Sequence, residues 1–257
     1  ALAACLILAI ALAWLGEQPP GPLPASAPAR VFSAERAMGD VRIIARAPHP
    51  MGTPANAAVR DHLLRRMAAL GLNPRVFART ALEEHDIDGR LLVIAGRPET
   101  IVGVLPGRDR GEPAVALMAH YDSVAASPGA ADDAAGVAAI LETVRALKAP
   151  APLRRDIVVV LTDGEEAGLL GARAFFGEHP LARRIGFVIN LEARGGAGRA
   201  RMFQTGARNG ETIGLFGQAA PRPSASSLAA FLFDLMPNDT DFTLARAAVS
   251  SRIERML

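Results

Sequence analysis

The chain has 257 residues, half of them hydrophobic, with 28 basic and 26 acidic side chains and a formal net charge of +2. That is enough chain for one good-sized core, or for one domain plus an anchor. The arginines are scattered, with no basic stripe and no interleaved aromatics, which excludes a nucleic-acid footprint. Cys5 is the only cysteine, so an intrachain disulfide and a thiolate zinc site are both excluded, and any metal must be held by His, Asp and Glu.

Residues 1–16 open with the uncharged apolar run ALAACLILAIALAWL. The run is shorter than the roughly 20 residues that span a bilayer. With no Met or basic stretch before it, it reads as a signal anchor or the remnant of a signal peptide, with a buried core helix as the bland alternative. Residues 17–30 are rich in Pro and Ala and read as an extended linker. From residue 31 to 257 the pattern is that of a single α/β domain. Thr53-Pro54 starts a helix, Val59, Leu63, Met67 and Leu70 line one face of it, and Gly71 stops it. Strand-like runs follow at about 75–79, 91–95, 100–105 and 114–119, then a helix over 134–147. Ile157–Leu161 is a β-branched run expected to be buried on both faces, residues 169–176 read as helix, and Phe187–Leu191 read as another buried strand. Strands alternating with helices predict a three-layer fold, a mixed, mostly parallel sheet flanked by helices.

In such sheets ligands sit beyond the carboxyl ends of the strands. Three apolar runs here end in ligand-type side chains: VALMAHYD in His120 and Asp122, VVVLTDGEE in Glu165 and Glu166, and FVINLE in Glu192. His120 and Asp122 are two apart, so at a strand end both point to one face. His120 binds a metal through one ring nitrogen while Asp122 fixes its tautomer or orients it. Asp132 and Asp133 follow a Ser-Pro-Gly turn. A helix N-cap accounts for one of them, and the other is free to bridge cations. Three formal negative charges within residues 163–166 repel one another until a divalent cation neutralises them. Adjacent Glu165 and Glu166 suit a division of labour, one holding metal and the other taking a proton from metal-activated water. Glu192 ends an apolar run, where an unpaired carboxylate is costly. Metal ligation is a more economical account of it than pairing with Arg194. His49, His62, His85 and His179 read as structural or exposed.

The stretches HYDSVAASPGAADDAAG, TDGEEAGLLGARAF, INLEARG, FQTG and PNDTDF resemble, in order, the motifs of the co-catalytic zinc exopeptidases, a family that includes bacterial aminopeptidases, glutamate carboxypeptidase and the endoplasmic reticulum metallopeptidase. The Glu of INLEARG resembles the membrane-anchored branch. The resemblance implies the zinc exopeptidase fold and a metallo-exopeptidase of aminopeptidase type, acting on a peptide substrate. Two Zn²⁺ ions are implied, with His120 and Glu192 on the first, Asp132 bridging, and Glu166 on the second. Glu165 is the implied general base and Asp122 the implied support of the first ligands. A cis peptide between Asp132 and Asp133 is also implied, as is a membrane-anchored domain on the extracytoplasmic side. The family's last ligand is a His downstream of the NDTDF-like stretch, in a final strand, loop and helix. No His follows His179 in this sequence, which reads as a fragment, a change of reading frame near Ala248 or a natural shortening; the second site is then expected to have only Asp132 and Glu166, and the domain to lack those last elements. A non-catalytic binding homologue is therefore the alternative. A one-zinc acyltransferase resembling glutaminyl cyclases is disfavoured, because EEAGLLGARAF lacks the insertion those enzymes carry near the double acid.

Overall fold

The run Ile157-Val-Val-Val-Leu-Thr162 has no polar residue before its end, and it occupies the middle of the sheet with every residue buried. The structure, a computed structural model, describes residues 2–149, 152–193, 198–206, 209–236 and 239–256. In chain order the helices are α1 (Leu2–Glu17), α2 (Ala34–Ile44), α3 (Pro54–Ala69), α4 (Ala135–Leu147), α5 (Leu170–Glu178), α6 (Gly210–Ala219), α7 (Ser227–Leu235) and α8 (Asp241–Met256). The strands are β1 (Arg75–Ala78), β2 (Ala81–Ile87), β3 (Arg90–Gly96), β4 (Glu99–Leu105), β5 (Ala114–His120), β6 (Ile157–Thr162) and β7 (Ile185–Asn190).

The main sheet has five strands in the order β1-β4-β6-β5-β7, and β2 and β3 form a separate hairpin. β6, β5 and β7 run parallel, with His120 of β5 opposite Thr162 of β6. β4 pairs antiparallel with β6, and β1 antiparallel with β4. The sheet is thus mixed, with a smaller parallel share than the pattern predicts. Residues 81–96 go into an antiparallel hairpin, and the chain then re-enters the sheet against the direction of β6. That reversal places Glu99, the first residue of β4, at the same edge as the carboxyl ends of β5, β6 and β7.

Two clusters fill the two faces of the sheet. Leu63, Met67 and Leu72 pack with Ile101, Leu117, Val159 and Leu161, and with Val137 and Leu141 of α4. On the other face Met118, Val158 and Val160 pack with Phe175, Ile185 and Ala245. The predicted helices form close to their expected bounds. Thr53 caps α3 by accepting the backbone N–H of Asn56 at 3.2 Å, with Pro54 in the first turn. The expected buried strand at 187–191 is corrected: β7 lies at the edge of the sheet with Ile189 exposed, because only its β5 side is hydrogen-bonded.

Contacts divide the chain into two compact units. The larger holds residues 23–193 and 239–257, the smaller residues 1–22 and 194–238. In the larger unit, part of the Pro/Ala-rich segment is held down. Ser33 donates its hydroxyl to the carbonyls of Leu23 and Pro24, and Arg36 and Arg145, both paired with buried Glu142, donate to those of Ala25, Ala27, Ala29 and Val31. The smaller unit contains α1, α6 and α7, with the ring of Phe203 5.0 Å from that of Phe233. α1 is an exposed apolar helix, and among the described residues no helix is long and apolar enough to cross a membrane.

Candidate metal centre

Every ligand-type side chain singled out above lies in the larger unit, at or just beyond the edge formed by the carboxyl ends of β5, β6 and β7. His120 ends β5 and is 1% exposed. Its Nδ1 lies 3.1 Å from the backbone carbonyl of Asp122. With the proton on Nδ1 donated to that carbonyl, the lone pair of Nε2 is left free for a cation. Nε2 faces Asp132 Oδ1 at 2.9 Å and Glu192 Oε1 at 3.6 Å. His120, Asp132 and Glu192 each offer a ligand atom, all within 4.8 Å of one another. One imidazole and two carboxylates suit a borderline cation such as zinc.

The charge balance favours a cation here. Burial alone would hold His120 below its ordinary value. Hydrogen bonds to Asp122, Asp132 and Glu192 outweigh it and raise the imidazole well above. A proton therefore occupies the position that a divalent ion would take, and metal binding would displace it. Burial also lifts Asp133 well above the usual carboxylate range, against the opposing pull of His120. Asp133 accepts the backbone N–H of Gly136 at 3.1 Å at the start of α4, and its Oδ2 is buried without a partner. The pair therefore splits as the sequence suggests, Asp133 turned to the helix and Asp132 to His120. The peptide bond between them is cis, as the resemblance implies.

Asp122 does more than orient His120. Its carboxylate is 3.5 Å from His120 Nδ1, farther than its own backbone carbonyl, and it accepts the backbone N–H groups of Glu165 at 3.1 Å and Glu166 at 3.3 Å. Asp122 thus fastens the turn after β5 to the turn after β6. Gly164, at φ +70°, makes that second turn possible. Glu165 is half-buried and Glu166 exposed. Burial is the main reason that Glu165 is held well above the carboxylate range; His120 opposes it, while Asp241, Glu192 and Asp122 add to it. Glu166 is raised too, by burial and then by Asp132. Glu192 Oε1 accepts the N–H of Ala193 at 2.9 Å. Arg194, its alternative partner, lies outside the described residues, as do Pro237 and Asn238 of the PNDTDF stretch.

Not all the acid after β6 faces the centre. Asp163 accepts Asn56 Nδ2 at 3.0 Å and the Glu99 N–H at 2.9 Å, and burial pushes its carboxyl up to about 6. Its role is to hold β4 and α3 to the strand end, which charge counting along residues 163–166 does not reveal. Asp241 escapes sequence reasoning as well, although the PNDTDF stretch flags it. It is 1% exposed and accepts the Thr162 hydroxyl. The remaining histidines are structural or exposed, as expected. His49 Nδ1 bonds the Ala47 carbonyl at 2.8 Å, His62 Nε2 bonds Asp40 at 3.0 Å, His179 stacks on Phe175, and His85 is exposed on β2.

An α/β sheet with a His and carboxylate cluster at its strand ends offers the donor set of a metal site. Comparison with known proteins is specific: the model of Peptidase family M28 matches residues 100–250, and the chain belongs to that family. It is 40% identical over 149 residues to endoplasmic reticulum metallopeptidase 1 of Mus musculus, covering 57% of this chain and 17% of that protein. The chain thus spans about a sixth of the length of that relative. Among solved structures it is similar to a zinc aminopeptidase from Bacillus subtilis, with TM-score 0.61, 16% identity, and coverage of 85% of this chain and 83% of the other. It is also similar to an Acidobacteriales bacterium glutaminyl cyclase, with TM-score 0.60, 17% identity, and coverage of 88% and 79%. At these identities the structural likeness shows the fold alone.

Proposed function

We propose that this chain carries the catalytic centre of a zinc-dependent metallo-exopeptidase of aminopeptidase type that hydrolyses peptide bonds. The observation that carries this reading is the convergence of His120, Asp132 and Glu192 within 4.8 Å, beside Glu165 and Glu166, at the strand ends of an M28 chain. The donor set fits zinc, because a buried imidazole with a free Nε2 meets carboxylates that otherwise force a proton onto it. His120, Glu192 and Asp132 would hold a first ion, and Asp132 with Glu166 would hold a second. Zinc bound there supplies Lewis acidity, polarising the scissile carbonyl and acidifying water. Asp122 keeps Nε2 of His120 aimed at the ligand position and sets the height of the Glu165–Glu166 turn. Glu165 takes the proton of the attacking water and returns it to the leaving amine.

Aminoacyl-anilide hydrolysis by the purified chain tests this reading. Chelation is expected to abolish turnover and zinc to restore it. Glu165→Gln lowers kcat by about 10²–10⁴-fold, with KM little changed. Turnover indifferent to both treatments would sink the mechanism. One observation favours a non-catalytic homologue instead: the second ion has only Asp132 and Glu166, both exposed, from the described residues. Fewer than about one zinc per chain, without turnover, decides for that alternative.

The exposed apolar surface of α1 supports membrane attachment; placing the catalytic domain on the extracytoplasmic side rests on the resemblance to the membrane-anchored branch. Flotation of the chain with liposomes, lost on deletion of residues 2–17, is the expected result. Flotation that survives the deletion rejects the assignment.

A further inference from the structure

Asp241 is the first residue of α8, 1% exposed, and the centre as described leaves it without a task. One of its oxygens accepts the Thr162 hydroxyl. The other, Oδ1, is buried with no partner. A carboxylate at a helix start is favoured by the helix dipole. The dipole does not explain full burial, nor an orphaned oxygen whose desolvation is costly.

The position of Thr162 supplies the missing link. It is the last residue of β6, stands opposite His120 across the ladder, and its backbone carbonyl accepts the N–H of Tyr121 at 2.9 Å. The Asp163–Glu166 turn begins at the next residue. α8 packs on β7, which delivers Glu192, and on α5, which begins where the Glu165–Glu166 turn ends. Ala245 and Phe242 seat α8 against the core on that face of the sheet. The charges that act most on Asp241 are those of His120, Glu192 and Asp122, and Asp241 is the carboxylate that acts most on Glu165.

We propose that Asp241 is a positioning residue of the metal centre: through Thr162 it fixes the end of β6 from which the Glu165–Glu166 turn projects and against which His120 is registered. The inference rests on the metallopeptidase reading and deepens it by assigning a buried residue outside the ligand set. Asp241 touches neither substrate nor metal; it acts through Thr162.

The test uses the full chain loaded with cobalt(II). Its readouts are the visible d–d spectrum, the cobalt affinity, kcat and KM on leucyl-p-nitroanilide, and thermal unfolding of the metal-free protein. Asp241→Asn keeps the size and one acceptor but removes the charge, and Thr162→Val removes the hydroxyl alone. Both variants are expected to shift the cobalt bands and weaken cobalt binding by about tenfold or more, in the range of other outer-shell partners of metal ligands. Both should lower kcat about tenfold with KM within threefold, while Asp241→Glu recovers part of the loss. If Asp241→Asn does not fold, Thr162→Val carries the test, since it keeps the Asp241 side chain and breaks only the contacts of the Thr162 hydroxyl to Asp241 and to the Ala119 carbonyl. A cobalt-binding wild type whose variants keep spectrum, affinity and kcat overturns the positioning role and leaves the metallopeptidase reading standing. A wild-type chain that binds no cobalt overturns both.

Discussion

His120, Asp122 and Glu192 have side chains 1%, 1% and 10% exposed, whereas Asp132 is 53% exposed and Glu166 is exposed as well. The first group sits on strand ends and is tied into the backbone of neighbouring turns; the second sits on loops. On the buried side the protein has already met the desolvation cost of its ligands, so geometry is fixed before a cation arrives. On the open side the carboxylates keep most of their water, and little is lost when no cation is present. The comparison teaches that, if two ions bind as proposed, their positions should behave as separate sites, one part of the fold and the other an attachment to it.

The sharpest way to break this contrast is to remove His120. In the metal-free protein its raised affinity for a proton makes it the local cation for Asp122, Asp132 and Glu192. His120→Ala leaves those acids without it, and removing one partner of a buried pair costs about 3–5 kcal/mol. Urea unfolding of metal-free protein at neutral pH should show that loss, and zinc should no longer protect the variant. A loss below about 1 kcal/mol, the level of an exposed pair, would show that the buried side is wetter than its geometry implies.

The turn after β6 contains the same contrast within four residues, since Asp163 is buried and Glu166 is exposed. Asp163 is raised from 3.8 to about 6, chiefly by burial, so between those values the folded state holds a proton that the unfolded state has released. The contribution of Asp163 to stability therefore falls as pH rises from about 4 to about 6 and then levels, by about 3 kcal/mol for a shift of this size. Urea unfolding of the metal-free chain at pH 4.5 and 6.5 should resolve the slope, and Asp163→Asn should flatten it. An unchanged slope in the variant would assign the effect to another carboxylate.

How much of this was legible in the sequence follows from the same distinction. β6 and the site strands were readable because a continuous apolar run ending in acid has few other uses, and His120, Asp132 and Glu192 are brought together as the motif order implies. The hairpin of β2 and β3 was only half visible. Its residues are mostly exposed, so ALEEHDI carries no burial pattern to read. Asp163 was readable as an acid near the centre but not as a structural one, and Asp241 only as part of the PNDTDF stretch. Their partners Asn56, Glu99 and Thr162 are 107, 64 and 79 residues away, and no local spacing encodes that. β7 was read as buried because apolar content does not distinguish a central strand from an edge strand that is covered on one face.

The smallest expected change in stability comes from Glu166, and it sharpens the comparison most. Glu166→Gln removes a ligand from an exposed loop whose backbone N–H still reaches Asp122, so the strand-end framework is untouched. Stability of the metal-free chain should change by less than about 0.5 kcal/mol, as for surface substitutions generally. Zinc titration should still show the tighter of two binding steps, held by His120, Glu192 and Asp132, while the weaker step is lost or moved at least about tenfold, the scale of losing one charge-assisted contact. The decisive outcome is the fate of the tighter step. If it is lost together with the weaker one, Asp132 cannot hold its place against His120 without a second cation on its exposed side, and the two halves are one cooperative site. If it survives, the buried half is a preassembled single-ion centre, and the open half governs only whether a second ion joins it.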